Sequence, residues 1–281
     1  MNDFYSDTKT KPSHAMLEYA LGRTFGDEQK DEDPTTLELC ERIAHLLGKE
    51  SAVFLPSGTM CNEIAITVQT SPGDEIICGR SSHIINFEGG APAAMSGVMI
   101  HPLDGKYGQF TEEDVRQALR PESRYLPISR MLCAEQTANL GGGAVWQLEK
   151  LDSVAQVAKN SGLSTHLDGA RLLNACVKTG ISAAHYSREY DSCWIDFTKG
   201  LGAPMGAVLA GSAEFIQAAW RVKQRIGGAM RQSGVIASYC LYALENNVER
   251  LAEDHALAAR ISKPLRDFPG IANVLPVETN I

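Results

Sequence analysis

The sequence predicts an α/β protein built on a mostly parallel sheet with helices on both faces. Three observations carry this reading. Short apolar runs recur along the chain, amphipathic stretches with helical spacing separate them, and Gly/Pro/Ser/Asp clusters punctuate both. Near-continuous apolar strands are what a sheet covered on both faces requires.

In chain order, Ala52-Val53-Phe54-Leu55 reads as a strand closed by Pro56-Ser57-Gly58-Thr59. A helix follows through Asn62 to Ile66, then a turn at Ser71-Pro72-Gly73-Asp74 and a strand at Glu75-Ile76-Ile77-Cys78. Thr111-Glu112-Glu113-Asp114 has capping-box form and opens a helix to about Leu119. Met131 to Glu135 reads as a strand. Leu148, Leu151, Val154, Ala155 and Ala158 give a helical stripe over 148–159. Leu163–Leu167, Cys193–Phe197 and Val208–Ala210 complete the strands. From Gly234 to about Arg266 the pattern is one helical stretch, ended by Pro264 and Pro269-Gly270. The segments 271–275 and 277–281 look like strand material without a partner. They either join something earlier in the chain or start a domain the given sequence does not complete.

Composition narrows the function classes. The 281 residues carry 26 Lys+Arg against 34 Asp+Glu, a formal net charge of −8. With no basic run, nucleic-acid and anionic-membrane binding are disfavoured. No apolar stretch reaches the roughly 18 residues of a membrane helix, and the first residues lack a signal-peptide pattern. The seven cysteines form no CxxC pair and suit a reducing cytoplasm. No metal site is indicated. Gly141-Gly142-Gly143 lacks the spacing of a dinucleotide-binding loop.

Four local patterns carry chemistry. Lys199 stands where a buried strand ends, in Phe197-Thr198-Lys199-Gly200-Leu201-Gly202-Ala203-Pro204. At the carboxyl end of a parallel sheet, partial desolvation favours the neutral amine and Schiff-base formation; a lysine merely opening a solvated loop is the alternative. Asp168 closes another strand, with Arg171 three residues on. It suits either a helix cap with a local ion pair or a carboxylate that holds a proton on a pyridine nitrogen, leaving Arg171 for a carboxylate. Ser57-Gly58-Thr59, between strand and helix, suits a cap or a phosphate. His83 suits a structural role, ring stacking or proton transfer. Together the four define one prosthetic group, pyridoxal phosphate.

With these residues in this order, the chain resembles the threonine aldolase family, within the β-eliminating lyases of fold type I. The resemblance runs from Ser6-Asp7-Thr8 through Glu32-Asp33-Pro34-Thr35, Phe87-Glu88-Gly89-Gly90 and His166-Leu167-Asp168-Gly169-Ala170-Arg171. It continues in Lys199-Gly200-Leu201-Gly202 and Met230-Arg231-Gln232-Ser233-Gly234 to Thr279-Asn280-Ile281. It implies a pyridoxal-phosphate-dependent retro-aldol cleavage of a β-hydroxy-α-amino acid to glycine and an aldehyde. Lys199 is then the lysine that holds the cofactor, Asp168 the partner of its ring nitrogen, and His83 the ring-stacking residue. Gly58 and Thr59, with Ser57, form the phosphate cup, and Arg231 lies near that phosphate. Ser6 and Arg171 bind the substrate carboxylate. The resemblance also implies a homodimer or homotetramer. It divides the chain into 1–250, an N-terminal segment with a large cofactor-binding domain, and 251–281, the start of an apparently incomplete small domain.

Three departures matter. Lys30 stands where the family usually has tyrosine. Arg124-Tyr125-Leu126-Pro127 stands where it often has the histidine that reads the substrate hydroxyl, and the following segment is Glu135-Gln136-Thr137-Ala138-Asn139. A second carboxylate-binding arginine, expected from the family's small domain, lies beyond Ile281. The cofactor side is intact and the hydroxyl-reading side is altered, so a related β-eliminating lyase, or a cofactor-binding fragment of weak activity, is the alternative reading.

Overall fold

A computed structural model describes residues 3–266, 268–271 and 274–281. Seven strands form one sheet: β1 Ser51–Leu55, β2 Glu75–Gly79, β3 Met99–Leu103, β4 Ser129–Glu135, β5 Ser164–Asp168, β6 Ser192–Asp196 and β7 Ala207–Gly211. Their order is β1-β7-β6-β5-β4-β2-β3. β7 is antiparallel to both of its neighbours, and every other pairing is parallel. The helices are α1 His14–Leu21, α2 Pro34–Leu47, α3 Gly58–Gln69, α4 His83–Asn86, α5 Glu112–Ala118 and α6 Leu148–Asn160. They continue with α7 Leu172–Thr179, α8 Ala183–Ser187, α9 Ala213–Arg225, α10 Gly234–Asn246 and α11 Leu251–Leu265.

Period-two alternation splits each strand between two cores. Phe54, Ile77, Leu132 and Leu167 face one side with Leu39, Ile43 and Trp146. Val53, Leu55, Ile76, Met131 and Trp194 face the other with Ile64 and Ile66 of α3. Burial on both faces is why these strands read as unbroken apolar runs. From β2 the chain crosses to β3 on one side; from β4 it proceeds to β5 and β6 on the other. The carboxyl ends of β2 and β4 therefore flank a topological switch point, where open α/β sheets bind ligands.

Three expectations change. The helical stretch after Gly234 is two helices, interrupted at 247–250, and Pro264 lies inside α11 instead of ending it. β3 is an edge strand, half-exposed and holding Pro102, so its pattern gave no clean strand signal. The C-terminal segment forms no strand among its described residues; Ala272 and Asn273 of the expected 271–275 strand lie outside them. Instead it packs against the loop after β4. Thr279 Oγ1 donates to the Gly143 carbonyl, and Glu278 Oε2 accepts from Val145 N. Gly142 and Gly143 have positive φ and face Leu275, Thr279 and Ile281 where a side chain would project.

Candidate active site

Lys199 follows β6 in the turn after Phe197. Its Nζ lies 3.1 Å from Asp196 Oδ2 and 5.4 Å from the centre of the Trp194 ring. The loop beyond it is fastened from three directions. Gly200, at φ 73°, donates its N–H to the Asp7 carbonyl, and Thr10 Oγ1 donates to the Thr198 carbonyl. Asn247 Nδ2 and Arg250 Nη2 donate to the carbonyls of Leu201 and Gly200. The interruption between α10 and α11 thus has a purpose. It releases these two side chains from helical packing and turns them onto the lysine loop.

Asp168, at the end of β5, accepts from Ala170 N at Oδ1 and from Asn62 Nδ2 at Oδ2. Asn62 is buried on α3 and fully satisfied. Its Nδ2 also donates to Glu88 Oε1, and its Oδ1 accepts from Trp194 Nε1 and His166 Nε2. Because an indole N–H can only donate, the amide orientation is fixed. His166 turns its Nδ1 to Ser192 Oγ, and burial pushes its imidazole down to about 4.

His83 opens α4 just after β2. Its ring Nδ1 lies 2.8 Å from Glu88 Oε1, and its ring centre 5.4 Å from that of Phe87. Burial works to lower the His83 pKa, but the Glu88 hydrogen bond and the Asp168 and Glu88 charges outweigh it and raise it, with Lys199 opposing. These influences bring His83, Asp168 and Lys199, from the ends of three different strands, into one electrostatic site. Glu135, paired in register with Asp168, accepts His83 N at Oε2 and Asn139 N at Oε1. Burial, and then the Asp168 charge, push its carboxyl up to about 7.

Beside this group stands the N-terminus of α3. Ser57 caps it through Oγ, which accepts from Met60 N. The leading N–H groups of Gly58 and Thr59 present the positive end of the helix. A Cβ on Gly58 would lie 2.2 Å from the Trp194 ring, so only glycine lets the indole support this turn. Arg231 is not gathered here: it is exposed and pairs with Asp27 at 2.9 Å.

Arg171 is buried and already engaged. Its Nε and Nη2 donate to Asp7 Oδ2 and Oδ1 at 2.8 and 2.7 Å, and Asn280 Nδ2 also reaches Asp7. Ser6 Oγ accepts from Thr8 N and Thr8 Oγ1 beside this pair. The Ser6 and Arg171 expected to bind a carboxylate therefore lie together, with an intramolecular carboxylate between them. Lys30, Arg124 and Tyr125 are exposed, and the last two lead into β4 at the end of the sheet away from Lys199. Asn62, Trp194, Glu88, Glu135, Asp196 and Asp7 were not singled out for a role by sequence. Glu88 and Asp7 sit inside short motifs that did stand out, whereas Asn62 and Trp194 look like ordinary helix and strand residues.

A lysine, an aspartate and a histidine at the carboxyl ends of a parallel sheet, next to a bare helix N-terminus, define a site of the kind that lyases use to hold a phosphorylated aldehyde cofactor. Comparison with known proteins agrees. Residues 3–281 match the β-eliminating lyase family, and the chain belongs to it. It is 37% identical over 282 residues to the low specificity L-threonine aldolase of Escherichia coli K12, covering all of this chain and 83% of that protein. It is 38% identical over 286 residues to low-specificity L-threonine aldolase 1 of Arabidopsis thaliana, covering 99% of this chain and 79% of the relative. Among solved structures, a putative L-allo-threonine aldolase of Listeria monocytogenes superposes with a TM-score of 0.81 at 26% identity, covering 99% of this chain and 79% of that one. The threonine aldolase of Leishmania major shares the fold, with a TM-score of 0.86 at 22% identity, covering 98% of this chain and 82% of that one.

Proposed function

We propose that this chain is a pyridoxal-phosphate-dependent aldehyde-lyase that cleaves β-hydroxy-α-amino acids of the threonine type to glycine and an aldehyde. The observation that carries the reading is the convergence of Lys199, Asp168 and His83 beside the N-terminus of α3. The residues fit the cofactor on two counts. The Gly58 turn has no side chain to block an approaching phosphate, and the amine, carboxylate and imidazole lie close enough to act on one another's charge. When bound, pyridoxal phosphate supplies an aldehyde and an electron-accepting ring. Lys199 would hold the aldehyde, and Asp168 would hold a proton at the ring nitrogen. His83 would cover the ring face. Ser57, Gly58 and Thr59 would hold the phosphate, with Arg231 completing that side only by leaving Asp27.

The chain's own residues then set the course of the reaction. Arg171, with Ser6, would orient the substrate carboxylate so that the Cα–Cβ bond stands across the ring, giving up part of its pairing with Asp7 to do so. Breaking that bond requires loss of the β-hydroxyl proton, and protonation at Cα yields glycine. His83, raised toward the cationic form and partly exposed, is suited to move a proton there. We further infer a cytoplasmic homo-oligomer, at least a dimer. Phe4, Tyr5, Leu21 and Phe25 are exposed near the N-terminal segment that crosses the site, and all seven cysteines are free. The test is a product assay with L-threonine and L-allo-threonine. Glycine plus acetaldehyde is the expected result; ammonia plus a keto acid would assign the chain to β-elimination.

A further inference from the structure

Behind His83 lies a second buried carboxyl group that the reaction described above does not use. Glu63 of α3 is 2% exposed and Glu88 is 5% exposed. Glu88 Oε1 accepts from Asn62 Nδ2 at 2.6 Å and lies 2.8 Å from His83 Nδ1. Among the described residues, Glu88 Oε2 and both oxygens of Glu63 lack any donor. Glu63 is within hydrogen-bonding reach of Glu88. Two adjacent buried carboxylates with three oxygens lacking donors cannot both be ionised at neutral pH at reasonable cost. One proton between them removes a charge and gives Glu88 Oε2 its missing donor.

We propose that Glu63 is a positioning residue: it carries a proton shared with Glu88, and the pair fixes the proton and ring orientation of His83 from behind. With its proton on Glu63, the pair bears a single negative charge. Glu88 keeps Oε1 as an acceptor for His83 Nδ1–H, which leaves His83 Nε2 available to the cleft. Burial, followed by the hydrogen bond to Glu88 and that group's charge, pushes the Glu63 carboxyl up to about 9. The other ionisable groups around the pair are His83 on α4, Asp168 and His166 on β5, Glu135 on β4 and Lys199 after β6. Three thiols, Cys61, Cys78 and Cys133, also lie nearby, and burial pushes each of them up and keeps it neutral. None of these groups donates a hydrogen bond to Glu88 Oε2 or to Glu63 among the described residues.

The inference rests on the cofactor reading only for what His83 faces, so its test reads His83 directly. The ¹⁵N shifts of the His83 ring, assigned by their loss in His83→Gln, are followed from pH 5 to 10 in the cofactor-loaded protein. In the unaltered chain, His83 deprotonates above the usual histidine range, and a second, alkaline step follows as Glu63 loses its proton. Glu63→Gln still offers a donor to Glu88 but cannot ionise. The first step then stays within about 0.3 units and the alkaline step vanishes. Glu63→Leu offers no donor. Glu88 Oε2 is then left without a donor beside His83, and the His83 midpoint moves by about one unit, a tenfold change in proton affinity. An alkaline step that survives in Glu63→Gln, or a His83 titration unmoved in both variants, would overturn the proposal. Either result can be read whether or not threonine is cleaved.

Discussion

At the scale of single residues, the network around Asn62 separates chemistry from support. Asp168→Asn removes the carboxylate that would hold a ring proton, while Lys199 and the α3 turn still bind cofactor. Turnover should fall about 10²–10³-fold, the scale of one lost electrostatic partner, with the bound-cofactor absorbance largely kept. Equal loss of both would make Asp168 a structural residue. His166 supports from beneath. Its folded pKa is depressed to about 4 from an ordinary 6.5. As pH falls between these values, the unfolded chain gains a proton that the folded chain refuses, so stability is lost on acidification, by roughly 3 kcal/mol in all. Urea unfolding measured at several pH values should show this slope, and His166→Gln should flatten it by up to one proton. The patterns that stood out in sequence were the groups that would touch a ligand. The roles of Asn62 and His166 were not legible, because their partners lie 26 to 132 residues away along the chain.

At the scale of elements, the strand–turn–helix unit of β1 and α3 was legible because its signals are local. An apolar run, a serine cap and a glycine all lie within a few residues. The reason the glycine is needed was not legible, since Trp194 arrives from β6. Gly58→Ala should cost about 1–3 kcal/mol, because the new methyl must displace an indole buried in the core. Cofactor affinity should fall with it as the turn shifts. Trp194→Leu in the same chain makes room, so the double variant should lose less than the sum of the two single losses in a thermal-melt comparison. Additive losses would mean that the turn and the indole do not press on each other. The break between α10 and α11 was hidden for a similar reason. Leu241, Leu244, Val248 and Leu251 keep helical spacing across it, and only the carbonyls of Gly200 and Leu201 explain why Asn247 and Arg250 leave the helix.

At the scale of the whole molecule, distant parts of the chain meet over the site. Asp7 from the N-terminal segment, Arg171 after β5 and Asn280 near the C-terminus form one buried cluster, and the Asp7 carbonyl also receives the Gly200 N–H of the lysine loop. The family resemblance could mark Ser6 and Arg171 as carboxylate ligands, but not that the Asp7 carboxylate would already engage the arginine. Burial works to raise the Asp7 carboxyl, and the Arg171 hydrogen bonds and charge outweigh it and hold it below its ordinary value. A depressed carboxyl stabilises the fold fully above that ordinary value, 3.8, and the contribution is lost as pH falls through the lower, folded one. Asp7→Ala would leave Arg171 buried without a counter-charge, a loss of about 3–5 kcal/mol, and the melting temperature should fall by on the order of 10 °C. Removing both charges, in Asp7→Leu with Arg171→Met, should restore much of that loss, because an apolar pair of similar volume has no desolvation to repay. The double variant should nevertheless bind substrate poorly, since Arg171 is the group expected to hold its carboxylate. If it melted no higher than Asp7→Ala alone, the cluster would stabilise the fold through the hydrogen bonds that the Asp7 side chain accepts from Arg171 and Asn280 and not through its charges.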